Sequence, residues 1–344
     1  MTMGGVVTDG EDALLRVDGL STVIGNVRRP QTILEDVSFA VAPGEVLGVV
    51  GESGSGKSML ALTLMNLLPR PIRRTAGRIA LGGTDLTGLS DRAWRDYRGR
   101  DMAMIFQEPM TSLNPVMRIG RQIMEVLVRR RGMSGRAAEQ EAIRLLERVE
   151  ISSPRERIRA YPHELSGGMR QRAMIAIALA ANARLLIADE PTTALDVTIQ
   201  AQILDLLRQL QAEMGMALIL ITHDLGVVAE MAHRVMVLYA GRVAELAPVE
   251  DTFYQPRHPY TRALLDSIPS VEARRERLAT IEGSVPVAGA MPPGCRFAPR
   301  CPLAREACTQ APPPVMPVGD GHGVACIAPF GYELPEGVAR RGAA

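Results

Sequence analysis

The sequence predicts an α/β fold built around a largely parallel β-sheet with helices on both faces. Apolar runs typical of buried strands occur at residues 14–17, 46–50, 103–106, 185–188, 217–222 and 235–239. Helical patterns alternate with them at residues 57–68, 119–131, 137–149, 169–180 and 198–214. Alternation of strands and helices is typical of an α/β sheet.

Two further patterns predict how this core is extended. Residues from about 110 to 165 carry helical patterns without a convincing strand, which predicts an inserted helical subdomain. After residue 250 proline becomes frequent and periodicity fades, which predicts a small loop-rich extension. We therefore expect a flexible tail at 1–13, an α/β domain at 14–250, an extension at 251–334 and a flexible tail at 335–344.

Composition and charge exclude some classes of function. The chain has 344 residues and a formal net charge of +1, so no overall basic charge favours a nucleic-acid partner. It contains no apolar run of the length that spans a membrane, and residues 1–10 do not resemble a secretory signal. We expect a cytoplasmic chain that reaches a membrane only through a partner.

A phosphate-binding loop follows the strand predicted at residues 46–50. The segment GESGSGKS matches G-x-x-x-x-G-K-[ST] and opens the helix predicted at 57–68, which is the context that this motif requires. Glycines allow a tight turn whose N–H groups point inward, and the helix N-terminus favours an anion. Lys57 would reach the β and γ phosphates, and Ser58 would bind Mg²⁺. The predicted phosphate ligands are Gly51, Ser53, Gly54, Ser55, Gly56, Lys57 and Ser58.

Polar side chains end three other predicted strands. Asp189 and Glu190 follow the run at 185–188, and the carboxyl end of such a strand faces the crevice where open α/β sheets bind ligands. Asp189 is the expected Mg²⁺ partner, and Glu190 the group that polarises the attacking water. Gln107 could contact Mg²⁺ or that water, and His223 could contact the γ phosphate. The alternative is an acidic pair that only caps the next helix.

Together these motifs resemble a complete ABC ATPase cassette. Leu165, Ser166, Gly167, Gly168 and Met169 closely resemble the family signature, usually L-S-G-G-Q, although methionine replaces the glutamine. The phosphate loop, Gln107, the acidic pair, the segment Ala194-Leu195-Asp196 and His223 follow in the family's order. The resemblance implies a P-loop, RecA-like core in which the signature and Asp196 meet the ATP held by an opposite subunit. A single cassette thus implies dimerisation, most simply with a second, related ATPase chain.

A closer resemblance covers residues 14–330. The segments GVVGESGSGKS, IFQEPMTSLNP, YPHELSGGMRQR and ADEPTTALD resemble the ATP-binding subunits of bacterial oligopeptide and dipeptide importers, and His258-Pro259-Tyr260 opens the extension that such subunits carry. This implies ATP-driven peptide uptake, with two membrane permease subunits and an extracytoplasmic solute-binding protein as partners. The chain would then lie at the cytoplasmic face of the inner membrane. Nickel and glutathione importers share much of the pattern and remain alternatives.

The sequence departs from the family near position 24. Members usually carry an aromatic residue there that stacks on adenine, whereas this chain has Ile24. Isoleucine can pack on a base but lacks aromatic stacking. We expect somewhat weaker ATP binding with activity retained.

Four cysteines lie in the extension, at Cys295, Cys301, Cys308 and Cys326. Four thiolates suit Zn²⁺ or an iron–sulfur cluster, and their gaps are wider than those of common zinc knuckles. The pattern also resembles the cysteine-rich tail of peptide-importer ATPases, which implies a [4Fe–4S] cluster. Zinc is the alternative, and unligated or disulfide-bonded cysteines are a third.

Three rival functions share the cassette. A non-transport ABC ATPase acting on DNA or ribosomes is disfavoured by the single cassette, the small net charge and the lack of a long coiled-coil insertion. A regulatory subunit without turnover is disfavoured by the presence of Glu190 and His223. An exporter ATPase is disfavoured by the cysteine-rich extension and the segment 258–260.

Overall fold

The computed structural model describes residues 13–26, 28–193, 195–268 and 281–331. They form two compact units, one built from the described parts of residues 1–42, 46–87 and 222–344, and one from residues 43–45 and 88–221. The predicted tail at 335–344 and residues 1–12 of the predicted N-terminal tail lie outside the described residues. None of the helices in the described ranges is long and apolar enough to cross a membrane.

The strands and helices follow one another along the chain in this order: β1 (Leu15–Ile24), β2 (Gln31–Val41), β3 (Val46–Val50), α1 (Lys57–Leu64), β4 (Arg73–Leu81), β5 (Thr84–Asp85), α2 (Asp91–Tyr97), β6 (Met102–Ile105), α3 (Pro109–Ser112), α4 (Ile119–Arg131), α5 (Gly135–Arg148), α6 (Pro154–Arg157), α7 (Gly167–Ala180), β7 (Leu185–Asp189), α8 (Val197–Met214), β8 (Ala217–Ile221), α9 (Leu225–Met231), β9 (Arg234–Tyr239), β10 (Arg242–Pro248), α10 (Val249–Tyr254), α11 (Pro259–Asp266), β11 (Met316–Gly319) and β12 (His322–Val324). Short 3-10 turns lie at Pro162–Glu164, Ala298–Arg300 and Glu306–Thr309.

An antiparallel sheet in the first unit has the strand order β2-β1-β4-β5. Val17 pairs with Phe39 on one side and with Ile79 on the other, and all three side chains are fully buried. The register of β1 shifts after Val17, where Gly19 has a φ of 59°. Alternation of buried and half-buried residues along β1 is what a sheet with one face on the core requires.

The first unit also contains a mixed set of strands in the order β11-β12-β10-β9-β3. Here β3 runs parallel to β9, with Val49 opposite Met236. The remaining pairs are antiparallel. All five residues of β3 are buried, as expected of a strand covered on both faces.

In the second unit the parallel strands lie in the order β8-β7-β6. Helices α4, α5 and α7 pack against one another. Helix α5 begins after Ser134, whose hydroxyl accepts the Ala137 N–H, and it buries Ala138, Ala142 and Leu146 on one face. Residues 109–164 are described throughout and contain helices and turns but no strand, although the boundaries of a helical subdomain remain a prediction.

The α/β fold is confirmed, and two details differ from the prediction. A largely parallel sheet was expected, whereas β1, β2, β4 and β5 form a separate antiparallel sheet that was not predicted beyond the start of β1. The helix predicted at 57–68 ends at Leu64, because Asn66 adopts a left-handed conformation with a φ of 49°.

Candidate functional site

The phosphate loop lies between β3 and α1, as predicted. Three glycines have positive φ values, at 152° for Gly51, 82° for Gly54 and 104° for Gly56. A Cβ at Gly51 would lie 2.2 Å from the carbonyl oxygen of Leu238, so glycine is required there. Gly56 is the N-cap of α1, and the loop therefore ends at the positive end of a helix.

Lys57 and Ser55 face the inside of this loop. The Lys57 ammonium donates to the carbonyl oxygens of Gly51 at 2.7 Å and Glu52 at 3.1 Å, and the residue is only 6% exposed. The Ser55 hydroxyl is fully buried and has no hydrogen-bond partner among the described residues. A buried polar atom without a partner is costly, so Ser55 is suited to an anionic ligand that the loop would hold. Ser58 is half-buried in the first turn of α1, whereas Ser53 and Gly54 are exposed.

In the second unit, the structure brings Gln107 and Glu190 together. The Gln107 side-chain amide donates to the Glu190 carboxylate at 3.0 Å, and the Thr193 hydroxyl donates to the same oxygen at 2.8 Å. Asp189 ends β7 and is 4% exposed. Glu190 has a positive φ of 46°, which is uncommon for a residue with a side chain and often marks a functional position. The carboxylate is therefore oriented by two neutral donors, as an oriented general base would be.

His223 and Ile24 belong to the first unit. His223 is exposed, and its neighbours in the chain form a tight turn in which the Asp224 N–H donates to the Thr222 hydroxyl at 3.0 Å. Ile24 is the last residue of β1, is half-buried and pairs with Gln31. Their expected contacts with ATP remain predictions.

The signature residues lie at the start of α7 in the second unit. Ser166 is the N-cap and accepts the Met169 N–H at 3.3 Å, while Leu165 is 3% exposed. A Cβ at Gly168 would lie 3.0 Å from a methyl group of Ile199, so the signature packs closely on α8. Asp196 caps α8 by accepting the Ile199 N–H at 3.0 Å. Gly167 and Gly168 thus leave a helix N-terminus with little side-chain cover. Ala194, which the sequence also singled out, lies outside the described residues.

The four cysteines line one small pocket in the C-terminal extension, together with His258, Phe297 and several aliphatic residues. All four thiols are free, so they form no disulfide. Burial raises the pKa of Cys295 and Cys301, and raises the pKa of Cys326 to about 11. In the part of the chain that the structure describes, no three His, Cys, Asp or Glu side chains are grouped closely enough to hold one metal ion.

A buried network around Glu245 contacts His258, which lines this pocket. Glu245, fully buried in β10, accepts the backbone N–H groups of Arg257 and His258 at 2.7 and 3.0 Å, and contacts His322 at 2.7 Å. Burial acts to raise the pKa of Glu245, but the contact with His322 and the hydrogen bonds from the two backbone N–H groups hold it below its usual value. The network fixes the chain just before α11.

A contact between the extension and the phosphate loop was not predicted from the sequence. Arg300 binds both carboxylate oxygens of Glu52, and the Tyr260 hydroxyl accepts the Glu52 N–H. Arg300 and Glu52 are 248 positions apart, so spacing carried no signal. The resemblance of residues 258–260 to the family was the one available pointer to Tyr260.

Two known families match parts of the chain. The family described as ABC transporter matches residues 34–193. The family described as oligopeptide/dipeptide transporter, C-terminal region, matches residues 244–308, a range that includes three of the four cysteines.

Relatives from two bacterial genera align over most of the chain. A putative peptide import ATP-binding protein of Brucella abortus (strain 2308) is 52% identical over 326 residues, which cover 91% of this chain and 96% of that protein. The oligopeptide transport ATP-binding protein AppD of Bacillus subtilis (strain 168) is 48% identical over 315 residues, with the same coverage of 91% and 96%.

Solved structures of other proteins have a fold similar to that of this chain. A dimeric structure of a post-hydrolysis state of the ATP-binding cassette MJ0796, bound to ADP and Pi, has a TM-score of 0.62 and 26% identity, and covers 68% of this chain and 98% of that one. CbiO1 from Clostridium perfringens, part of the ABC transporter complex cbiONQ, has a TM-score of 0.60 and 25% identity, covering 71% and 92%.

Proposed function

The chain belongs to the ABC transporter family of ATP-binding proteins, and from that premise we propose that it is the ATPase that powers uptake of di- and oligopeptides through an importer. Hydrolysis of ATP is the activity of this family. Peptide import is the function in the names of the Brucella and Bacillus relatives. The observation that carries the proposal is their identity of about 50% across the cassette and the C-terminal region.

ATP binding is assigned to the phosphate loop. Gly51, Ser53, Gly54, Ser55 and Gly56 would present N–H groups and hydroxyls to the phosphates, and Lys57 would exchange its carbonyl partners for the β and γ phosphates. The buried Ser55 hydroxyl without a partner supports this assignment.

Hydrolysis is assigned to a second set of residues. Glu190 would accept a proton from the attacking water, and Gln107, which donates to the Glu190 carboxylate, would orient both. His223 would donate to the γ phosphate. Ser58, Gln107 and Asp189 carry oxygen donors of the kind that Mg²⁺ prefers, and when bound the ion neutralises charge on the β and γ phosphates.

We propose that the working unit is a dimer. Residues 165–169 and Asp196 would face the γ phosphate held by an opposite cassette, and the family relative MJ0796 is dimeric in its solved structure. The opposite cassette would be a second, related chain. Two permease subunits would hold the pair at the cytoplasmic face of the inner membrane, and an extracytoplasmic binding protein would deliver the peptide.

We also propose that the cysteine pocket holds a [4Fe–4S] cluster. The four thiols share one pocket, and four thiolates are the usual ligands of such a cluster. Four thiolates also suit one zinc ion, which remains the alternative. Burial keeps Cys295, Cys301 and Cys326 protonated without a metal, so binding would release protons.

Uptake assays test the transport proposal. Cells that lack this chain are complemented with wild type or with Lys57→Ala, and accumulation of labelled di- and oligopeptides, Ni²⁺ and glutathione is compared. Wild type should restore peptide uptake, and Lys57→Ala should not. Restored uptake of Ni²⁺ or glutathione without peptide uptake would replace the peptide assignment. A salt-sensitive gel shift with duplex DNA would support a nucleic-acid function instead.

Anaerobic purification tests the cluster proposal. Wild type should contain about four irons per chain and show a broad visible absorption band. Cys301→Ser should lose the band and the iron. A colourless wild-type protein with one zinc per chain would contradict the cluster.

A further inference from the structure

The phosphate loop is held from outside by two side chains of the C-terminal extension. Arg300 donates through Nη1 to Glu52 Oε2 at 2.7 Å and through Nη2 to Glu52 Oε1 at 2.9 Å. The Glu52 backbone N–H donates to the Tyr260 hydroxyl at 2.8 Å. Glu52 is the second residue of the loop. These hydrogen bonds mean that the extension fixes both its side chain and its backbone.

The Arg300–Glu52 pair is well shielded from solvent. The exposed fraction of the side chain is 5% for Arg300 and 27% for Glu52. Bidentate arginine–carboxylate pairs are among the stronger polar contacts in proteins, and shielding reduces their screening by salt. The hydrogen bonds to Glu52 raise the pKa of Arg300 above its usual value, despite its burial.

Every donor of the Arg300 guanidinium has a partner. Besides the two contacts with Glu52, Nε donates to the carbonyl oxygen of Glu282 at 2.8 Å, Nη2 to that of Ile281 at 3.1 Å, and Nη1 to the Tyr239 hydroxyl at 3.2 Å. These contacts account for the five N–H groups that arginine carries. The guanidinium is therefore held in place independently of Glu52 and presents a fixed fork to the loop.

The same segment carries two of the cysteines. Arg300 ends the 3-10 turn Ala298–Arg300, with Cys301 directly after it, and Cys295 lies three residues before the turn. Phe297 packs edge-on against Tyr239, with ring centroids 5.3 Å apart, and lies 5.2 Å from the Tyr260 ring. A shift of residues 295–301, the cysteine-bearing segment, would therefore move Arg300 and Phe297.

We propose that Arg300 is a positioning residue for ATP binding, which acts on the phosphate loop through Glu52 with the help of the Tyr260 hydroxyl. The affinity for ATP then depends on the contact that Arg300 makes with Glu52. The inference rests on the proposal that residues 51–58 bind the phosphates of ATP.

The charge of the pair determines the direction of the effect. Paired with Arg300, the Glu52 carboxylate is neutralised beside the loop that would hold a polyphosphate. Without the guanidinium, the loop loses an anchor and keeps an uncompensated negative charge, and both changes weaken ATP binding. Because neither side chain is assigned to the reacting atoms, the Michaelis constant for ATP should change more than kcat.

The extension offers a matched control. Arg296 forms an ion pair with Glu35, so this second pair joins the cysteine-bearing segment to strand β2. Glu52→Gln and Glu35→Gln make the same chemical change at two arginine-paired carboxylates, and only Glu52 belongs to the phosphate loop.

The test measures ATP affinity, KM and kcat for the full chain with Mg²⁺ present. Arg300→Ala should raise KM for ATP on the order of tenfold with kcat changed less than about threefold, and Arg300→Lys should recover part of the loss. Arg300→Ala/Glu52→Gln should be no worse than the poorer single variant, because both act through one contact. If Arg300→Ala does not fold, Tyr260→Phe removes one hydroxyl and should raise KM about threefold.

The results separate this inference from the proposal beneath it. Glu35→Gln should lower thermal stability without changing KM for ATP by more than about twofold. An unchanged KM in Arg300→Ala or Tyr260→Phe, in a protein whose wild type binds ATP, would overturn the positioning role. An equal rise in KM for Glu35→Gln and Glu52→Gln would also overturn it. Wild-type-like ATP binding by Lys57→Ala would instead refute the assignment of the phosphate loop.

Discussion

His258 makes the stability of the first unit depend on pH between about 4 and 6.5. The side chain is nearly fully buried, and burial lowers the pKa of the imidazole from 6.5 to about 4. Its Nδ1 accepts the Tyr260 N–H at 3.0 Å and so caps α11 in the neutral form. The negative charge of Glu245 and a backbone hydrogen bond to Ala325 act in the opposite direction but do not prevail.

The sign and size of the effect follow from linkage. The folded pKa of His258 is depressed, so the unfolded chain takes up the proton first as the pH falls. The stabilisation is therefore fully present above pH 6.5 and is lost as the pH falls towards 4. The difference between 6.5 and about 4 corresponds to roughly 3 kcal/mol of unfolding free energy.

Denaturant unfolding at a series of pH values measures this effect. Far-UV circular dichroism follows the whole chain, and the fluorescence of Trp94, the single tryptophan, reports the second unit as an internal reference. His258→Asn keeps an N-cap oxygen but has no titrating ring. Its free energy of unfolding should therefore fall by about 3 kcal/mol less than that of wild type as the pH drops from 6.5 towards 4. His163→Asn, at an exposed position, should behave like wild type. Equal pH slopes for wild type and His258→Asn would refute the reasoning.

Three further changes test single contacts. Ile24→Tyr should lower KM for ATP about two- to tenfold through aromatic stacking on the base, and an unchanged KM would contradict an adenine contact at this position. Gly294→Ala places a Cβ 2.1 Å from the carbonyl oxygen of Cys308, so it should destabilise the cysteine pocket by roughly 1–3 kcal/mol. The iron content of the purified protein should also fall. A melting temperature and an iron content equal to those of wild type would count against this packing. Asp196→Ala removes the cap of α8 and should lower the free energy of unfolding, followed by Trp94 fluorescence, by about 1 kcal/mol. Asp196→Asn should retain the cap, and an equal loss of stability in both variants would argue against capping.

Local patterns predicted the elements that carry the motifs. The buried run at 46–50 became β3, and the phosphate loop that follows it has the positive φ values that its glycines allow. Asp189 ends β7 as predicted, because an uninterrupted apolar run precedes it. Such predictions succeed where one buried strand or one helix cap dominates the local energy.

Other features were not predictable from local patterns. Strand β2 carries Glu35 and Asp36, and its pairing with β1 shifts register at a bulge, so the alternation along both strands is interrupted. The contact of Arg300 with Glu52 joins residues far apart in sequence and depends on tertiary packing. The pKa of His258 likewise depends on burial, which no local pattern reports.

Turnover by wild type and Glu190→Gln tests the central claim most directly. Purified full-length protein, with Mg²⁺ and ATP, should hydrolyse ATP, and Glu190→Gln should bind ATP with similar affinity while turnover falls by about 100-fold or more, because the variant has no carboxylate base. Glu35→Gln, which makes the same change away from the proposed site, should retain turnover. Hydrolysis by Glu190→Gln at the wild-type rate would contradict the account.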